Sequence, residues 1–466
     1  MGRLRSSDAT EGSTLGRNFS LLTAAAVIDG LGGSGAPIAA AFAVLQSGGD
    51  GTDVGLVAAA RTVPLVAFIL VGGAVADRLP RHHVMVAANT LNCLSQGAFA
   101  ALVLTGEARL WHMAVLSALG GTARAFFSPA AEGMVLSIVR GEHANRAFAA
   151  FRTGVNGANV GGAALGGALV AAAGPGWVLA ADAAGFAVAA SLRALLDLSA
   201  MPERRPGEGL LRELRAGWRE VRSRSWLWSV IVQFAVVNAV VAAAEAVYGP
   251  QIAEESLGGA RPWGIAMAAF GAGTVGGALV MTRWKPRRML RAGMLSIFPL
   301  ALPSAALAVP VSAPVLTGVM LVSGLCIEVF GVAWMMALHQ EIPEEKFSRV
   351  SSYDWLGSIA MVPVATAVAG PAEEAVGRSA ALWGSAGLIV ALTAAVLAVP
   401  DVRHLTRRTS SAASGSSVVP ASEVPVVDEP AANSPSVYGP ASAPAEAPPT
   451  LKAPSGGSGE GGASPS

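Results

Sequence analysis

The stretch that decides the fold is Gly73-Ala74-Val75-Ala76-Asp77-Arg78-Leu79-Pro80-Arg81-His82-His83. It lies between two apolar stretches, 53–76 and 84–105. Each of these is long enough to cross the hydrocarbon core of a bilayer as a helix, which takes about 20 residues. An aspartate beside arginines in so tight a turn can cap a helix and form ion pairs that break and re-form. The sequence therefore predicts a short charged turn joining two membrane-spanning helices.

Apolar stretches of this length recur along most of the chain. They predict twelve spans, at 19–46, 53–76, 84–105, 110–136, 147–173, 176–198, 226–252, 262–282, 290–310, 313–339, 352–371 and 379–400. The chain of 466 residues is 53% hydrophobic and only 14% charged, with a mean hydropathy of +0.53. Soluble domains carry about 25% charged residues. A soluble enzyme is therefore nearly excluded, and an all-α membrane protein is predicted.

The distribution of the basic residues predicts the orientation. Most of the 32 Lys and Arg residues fall on the side of the two termini, including the dense run from Arg193 to Arg224. Arg109, Arg261 and Arg378 fall on the opposite side. Loops rich in Lys and Arg stay in the cytoplasm. We expect a multi-pass protein of the cell inner or plasma membrane with both termini cytoplasmic.

Changes in composition divide the chain into five parts. We expect a cytoplasmic N-terminus (1–18), a six-helix half (19–198), a linker with an amphipathic surface helix (199–225), a second six-helix half (226–402) and a disordered cytoplasmic tail (403–466). The tail is rich in Ser, Pro, Ala and Gly, a composition that buries too little apolar surface to order itself.

Several classes of ligand are not expected. The formal net charge is +1, which gives no basic field for nucleic acid. Cys93 and Cys326 lie in apolar stretches without a second Cys or a His at metal spacing, so no metal site is predicted. No phosphate-binding Gly-Lys-Ser/Thr motif is present, and we expect no cofactor.

The charged turn resembles the loop 2–3 signature of the major facilitator superfamily, G-x-x-x-D-R-x-G-R-R/K. Pro80 replaces the second glycine and His82 the final basic residue. The resemblance implies two six-helix halves that rock about a central cavity. It also implies a gating role for Gly73, Asp77, Arg78 and Arg81, with Asp77 holding a cytoplasmic network closed. The alternative is a turn whose charges only fix the topology.

A glycine-rich face marks the fifth span, with Gly157, Gly161, Gly162, Gly166 and Gly167. It resembles the G-P-x-x-G-G motif of antiporters in this superfamily, although Ala163 stands where the proline is usual. Small residues at this spacing equally suit close helix packing alone.

Two further stretches are similar to the exporter branch that includes macrolide-efflux and enterobactin-exporter-like proteins. They are Arg124-Ala125-Phe126-Phe127-Ser128-Pro129-Ala130, and Gln340 to Pro343 with Arg349 to Ser352.

Charges inside the spans are candidates for function, because each is costly in a bilayer unless it is paired or faces a wet cavity. They are Asp29, Arg61, Arg124, Asp182, Glu245 and Glu328. In the superfamily fold, spans 1, 4, 7 and 10 line the cavity. This implies that Asp29, Arg124 and Glu328 converge there, with Glu245 as the next candidate and Asp182 as a structural pair member. Asp29 with Arg124 as a movable partner suits proton coupling.

The sequence thus favours a monomeric secondary transporter that exports a hydrophobic or amphipathic small molecule in exchange for protons. A nutrient-uptake symporter is the first alternative and would need more polar spans 1, 4, 7 and 10. A membrane enzyme or a non-transporting sensor is the second. An enzyme would need clustered His and carboxylates, and a sensor would need a folded soluble domain.

Overall fold

The computed structural model describes residues 2–138, 144–196 and 218–405. Within these ranges the chain is helical without strands, and the predicted all-α membrane fold is confirmed. In the described part of the chain, eleven helices are long and apolar enough to cross a membrane. Leu110–Ile138 is a further helix of 29 residues, which packs against its neighbours in the bundle.

We number the helices in chain order. The first half has α1 (Gly2–Gln46), α2 (Gly51–Arg78), α3 (Arg81–Thr105), α4 (Leu110–Ile138), α5 (Ala144–Ala173) and α6 (Pro175–Ala194). The second half has α7 (Ser225–Leu257), α8 (Ala260–Arg283), α9 (Met289–Leu307), α10 (Ala313–Glu341), α11 (Glu344–Ala360 and Val362–Val376) and α12 (Arg378–Ala398). A short helix, α13 (Pro400–His404), follows.

Three spans of the second half are irregular. The middle of α9 is a 3-10 turn at Phe298–Leu300, and α11 is broken at Met361, two residues before Pro363. Proline removes a backbone donor and crowds the preceding turn, so both breaks follow from the sequence. Two π-helical turns, Ala244–Tyr248 and Ala253–Leu257, interrupt α7.

The two ends of the bundle differ in how the halves meet. We call the end with the α2–α3, α8–α9 and α10–α11 turns the termini side, and the opposite end the far side. One continuous apolar core on the far side takes side chains from both halves, among them Phe42, Val54 and Trp263. On the termini side each half has its own core, around Met85 in the first half and around Leu227 and Trp334 in the second. The halves are therefore joined through the far side.

The predicted linker and tail lie largely outside the described residues. Of 199–225, the described part starts at residue 218, where a helical turn packs Val221 into the core of the second half. Glu220 there accepts a hydrogen bond from Lys346 at 2.9 Å and pairs with Arg224, and the Lys346 bond holds the pKa of Glu220 below its usual range. Of 403–466, only residues 403–405 are described.

Candidate functional site: a cavity between the two halves

A cavity of about 500 Å³ lies between the halves. Helices of both halves line it, and most of its wall is apolar, including Phe99, Phe186, Trp263, Met267 and Phe270. A few amide and hydroxyl groups interrupt the apolar wall, such as those of Asn92, Asn159 and Ser117. This volume and this mixture of groups are typical of small-molecule sites.

Close backbone contacts between α2 and the second half seal the far side. A methyl group added at Gly55 would meet the carbonyl oxygen of Thr366 on α11, and one added at Gly370 would meet the backbone of Thr52. The Thr52 hydroxyl also donates to Glu374 at 3.3 Å. Glycine permits an approach that any side chain would block.

The glycines of α5 form a second part of the far-side seal. A methyl group at Gly167 would lie 2.6 Å from the Ala260 carbonyl oxygen and 2.7 Å from the Cα of Gly264. One helical face of the motif thus contacts α8 of the other half. Its other members, Gly162 and Gly166, contact Leu31 and Gly35 of α1. Gly161 only approaches the Leu31 side chain, and Gly157 has nothing within 4 Å.

Three ionisable side chains line the cavity: Arg61 from α2, Asp182 from α6 and Glu245 from α7. Asp182 is 4% exposed and accepts a hydrogen bond from Gln96 Nε2 at 2.8 Å. It fits against Gly32, where any side chain would collide with its carboxylate. Asp182 and Arg61 interact electrostatically. Asp182, expected to be a purely structural pair member, therefore forms part of the cavity wall.

Glu245 lies in the first π-helical turn of α7. It has neither a hydrogen bond nor an ion pair to any residue in the described part of the chain. Single π-turns within α-helices occur frequently at functional sites. Glu245 is therefore a carboxylate in the cavity wall without a hydrogen-bond or ion-pair partner among the described residues.

Asp29 lies elsewhere, in the core of the first half. Its Oδ2 accepts a hydrogen bond from Arg193 Nη2 at 2.6 Å, and its Oδ1 is 3.5 Å from Asn89 Nδ2. Arg193 is 1% exposed. Side chains on a helix tilt toward its N-terminus, so an arginine in the last turn of α6 reaches back into the bundle.

This arrangement corrects the expected partner of Asp29. The structure pairs Asp29 with Arg193, which belongs to the dense basic run from Arg193 to Arg224. Arg124 acts on Asp29 only through its electrostatic field. The Arg124 guanidinium is exposed, 6.0 Å from the ring centre of Phe127, and Arg193 lies 4.8 Å from the same ring.

The expected convergence of Asp29, Arg124 and Glu328 on the cavity is also not found, because none of the three lines it. Glu328 lies on α10, where its Cβ would be 2.8 Å from a methyl group at Gly277 of α8. It interacts electrostatically with Arg152 of α5, in the other half. Of the spans expected to line the cavity, α1, α4 and α7 contribute to its wall and α10 does not, and the faces of α1 and α4 that line it do not include Asp29 or Arg124.

Near the charged turn, the neighbouring glycines Gly72 and Gly73 have different surroundings. A methyl group at Gly73 would meet nothing within 4 Å, whereas one at Gly72 would meet the Ala125 carbonyl oxygen of α4. Gly72, rather than Gly73, thus makes the close helix contact. Arg78 ends α2 exposed, and Arg81 begins α3. Asp77 belongs to α2, but its side chain lies outside the described part.

Two six-helix halves around a cavity, sealed at one end, define the class of protein as a membrane transporter. The family model described as Major Facilitator Superfamily matches residues 22–362, and the chain belongs to this family. The family and fold expected from the sequence are confirmed.

A curated relative is similar over part of the chain. The multidrug efflux pump Tap of Mycolicibacterium fortuitum is 36% identical over 110 residues, which are 24% of this chain and 27% of that protein. The match therefore spans about a quarter of the length of that relative.

Solved structures show the same fold. A point mutant of the nucleoside transporter NupG gives a TM-score of 0.66 at 15% identity, over 82% of this chain and 99% of that one. A POT family transporter in complex with a thioalcohol-conjugated peptide gives 0.65 at 11% identity, over 82% and 95%. At these identities the similarity is one of fold.

Proposed function

We propose that this chain is a secondary active transporter that exports a hydrophobic or amphipathic small molecule in exchange for protons. The observation that carries the proposal is the cavity between the halves, with its largely apolar wall and its unpaired carboxylate, Glu245. An apolar wall suits a hydrophobic cargo, and an unpaired acid can bind a proton. The partial similarity to a multidrug efflux pump supports the direction.

Alternating access links these features. With the far side sealed, the cavity would open toward the termini side, which the distribution of Lys and Arg predicts to face the cytoplasm. A cargo that enters from the cytoplasm or inner leaflet would leave after the halves rock and the far-side contacts open. We propose that one chain is the transporting unit, because both halves of the cavity wall come from the same chain.

Glu245 is the proposed site of proton exchange. A carboxylate that binds a proton in one state and releases it in the other lets the gradient drive the cycle. Glu245 reaches the cavity from the half opposite to Asp182, so rocking changes its surroundings. Asp29, with Arg124 nearby, and Glu328 are the other candidate coupling groups.

The test uses everted membrane vesicles with an imposed proton gradient and a panel of amphipathic dyes and antibiotics. We expect gradient-driven accumulation with the wild-type chain and its loss in Glu245→Gln, while exchange without a gradient still occurs at a saturating dye concentration. The matched control is Glu107→Gln, an exposed site on the far side. Uphill accumulation by Glu245→Gln at the wild-type rate would exclude Glu245 as the coupling acid.

A nutrient-uptake symporter would be distinguished in the same vesicles. A symporter would move its substrate with the protons, so everted vesicles would lose it under the same gradient. The cavity wall favours export of an apolar cargo over nutrient uptake, since few polar groups interrupt its apolar area.

A further inference from the structure

The cavity wall has two side chains of opposite charge, one from each half, that make no side-chain hydrogen bond to any described residue. Arg61 belongs to α2 of the first half and Glu245 to α7 of the second. Together they bear on the chemical class of the cargo, an inference that rests on the proposed transport function.

Arg61 is half-buried and faces the cavity. It donates no hydrogen bond to any residue in the described part of the chain. Its nearest acid, Asp182, is engaged with Gln96. A guanidinium has five N–H donors in a planar fork that fits a carboxylate. An acidic or strongly accepting group in the cavity would satisfy them.

Glu245 offers the complementary group. It lies in a π-helical turn, has no partner among the described side chains, and faces the same cavity. A protonated amine would bind such a carboxylate by a charge-assisted hydrogen bond. Trp263 and Phe270 of α8 line the same cavity and offer aromatic faces to an apolar body.

The contacts between α2 and α7 show how far apart Arg61 and Glu245 lie along the axis of the bundle. A methyl group at Gly51 would lie 2.6 Å from Gln251 Oε1, and one at Gly55 would lie 3.7 Å from Val247. The helices are therefore antiparallel, and continuing this register puts Glu245 level with Val57. Arg61 lies four residues further toward the termini side, about 6 Å at 1.5 Å per residue.

We propose that the cavity selects amphipathic zwitterions, with the amine end at Glu245, the acidic end at Arg61 and the apolar body between them. A ligand with only a cationic group would leave the Arg61 donors unbonded, and one with only an acidic group would leave Glu245 unpaired. Each half thus binds one end of the cargo.

The test compares three related dyes on the purified full-length chain in detergent, by fluorescence anisotropy. The first is Nα-dansyl-lysine, which has a free carboxylate, an ε-ammonium group and an apolar fluorophore. The second is its methyl ester, which is only a cation, and the third is its Nε-acetyl form, which is only an anion. We expect the zwitterion to bind tightest and each of the others about tenfold weaker or more, since hydrogen bonds to charged groups are worth about 1.5–3 kcal/mol. An ester that binds as tightly as the zwitterion would overturn the proposal.

Substitutions then test which residue binds the acidic end of the dye and which binds the amine end. Arg61→Gln should abolish the preference for the acid over its ester, and Glu245→Gln the preference for the zwitterion over the acylated dye. Arg261→Gln, at an exposed arginine on the far side, is the matched control and should change neither. Should Arg61→Gln fail to fold, Arg61→Lys keeps the charge but loses the fork and should reduce the preference. An unchanged preference in the Arg61 variants would reject Arg61 as the acid-binding group.

The binding measurement needs no gradient. It therefore stays informative if proton-coupled export fails in vesicles, and the two proposals can fail separately.

Discussion

At the scale of single residues, the Asp29–Arg193 ion pair is the best-defined polar contact inside the first half. Both side chains are largely buried, with 10% and 2% of their side-chain areas exposed. Such a pair adds little to the free energy of unfolding compared with a well-packed apolar replacement. Removing one partner, however, leaves a charge buried without a counter-ion. Arg193 already has two nitrogens, Nε and Nη1, without a hydrogen-bond partner. The pair therefore holds α1 to α6 and tolerates the loss of one partner poorly.

We predict that Asp29→Asn lowers the stability of the purified protein by about 3–5 kcal/mol, because it strands the Arg193 guanidinium. The measurement is the midpoint of thermal unfolding in detergent, with Glu107→Gln as the control at an exposed acid. The double variant Asp29→Leu, Arg193→Met should recover most of the loss. Equal midpoints for the wild type and Asp29→Asn would contradict this account of the pair.

At the scale of helices, glycines decide where the two halves can touch. Contacts between α5 and α8 pair Gly167 with Gly264, and then Gly271 with Val160 two turns deeper. Still nearer the termini side, Gly157 has open space around it. The same motif thus includes glycines that seal the far side and one that contacts nothing.

We predict that Gly167→Ala shifts the chain toward a state open on the far side, whereas Gly157→Ala does not. Both changes raise helix propensity on the same helix, but only the first inserts a methyl group against backbone atoms. Overpacking of this kind costs about 1–3 kcal/mol, or roughly fivefold to over a hundredfold in the ratio of the two states. The measurement is the labelling rate of a cysteine at Val54 by an impermeant thiol reagent, with Cys93 and Cys326 replaced by serine. Equal rates in the two variants would exclude the seal.

Arg152 of α5 and Glu328 of α10 interact electrostatically between the two halves on the termini side. The α5–α8 register puts Gly277, against which Glu328 packs, level with Gly154, two residues from Arg152. Closing the termini side would bring the two charges together. We predict that Glu328→Arg slows transport severalfold, since like charges would oppose closure.

The charge-swapped double variant Arg152→Glu, Glu328→Arg should restore most of the transport rate. Recovery would identify Glu328 as a gating group. No recovery in the swap, combined with loss of gradient-driven transport in Glu328→Gln, would instead identify it as a coupling acid.

The sequence predicted where the helices lie along the chain better than it predicted which face of each helix points into the cavity. Runs of about 20 apolar residues locate spans because the bilayer sets their length. They do not determine rotation about the helix axis, and Gly72 and Gly73 differ by about 100° around α2. The same limit explains why Arg124 was assigned as the partner of Asp29. Arg61 and Asp182 were recognised as intramembrane charges, but their convergence on the cavity depends on the packing of α2 against α4 and of α6 against α1 and α3.

At the scale of the whole molecule, the structure is one state of a cycle. The two halves share a core on the far side and have separate cores on the termini side. Rocking would exchange these two arrangements, so the cycle needs no change within a half. The sequence beyond residue 408 is rich in Ser, Pro, Ala and Gly and lacks the long apolar stretches from which both halves are built.

We predict that deleting residues 409–466 leaves folding and transport intact, because the stretch is too poor in apolar residues to contribute to a packed core. Membrane expression, thermal midpoint and dye export of the truncated chain check this. A lower membrane expression level would show that the tail contributes to folding, and a lower rate of dye export would show that it contributes to transport.

The central claim is that cargo and protons move in opposite directions through the cavity. It is tested most directly in proteoliposomes of the purified chain, with a dye gradient, no imposed pH difference and a pH indicator inside. As dye flows out, the account predicts that the interior acidifies, and that Glu245→Gln abolishes the change while dye still moves. Alkalinisation of the interior, which would mean that protons leave with the dye, would contradict the account.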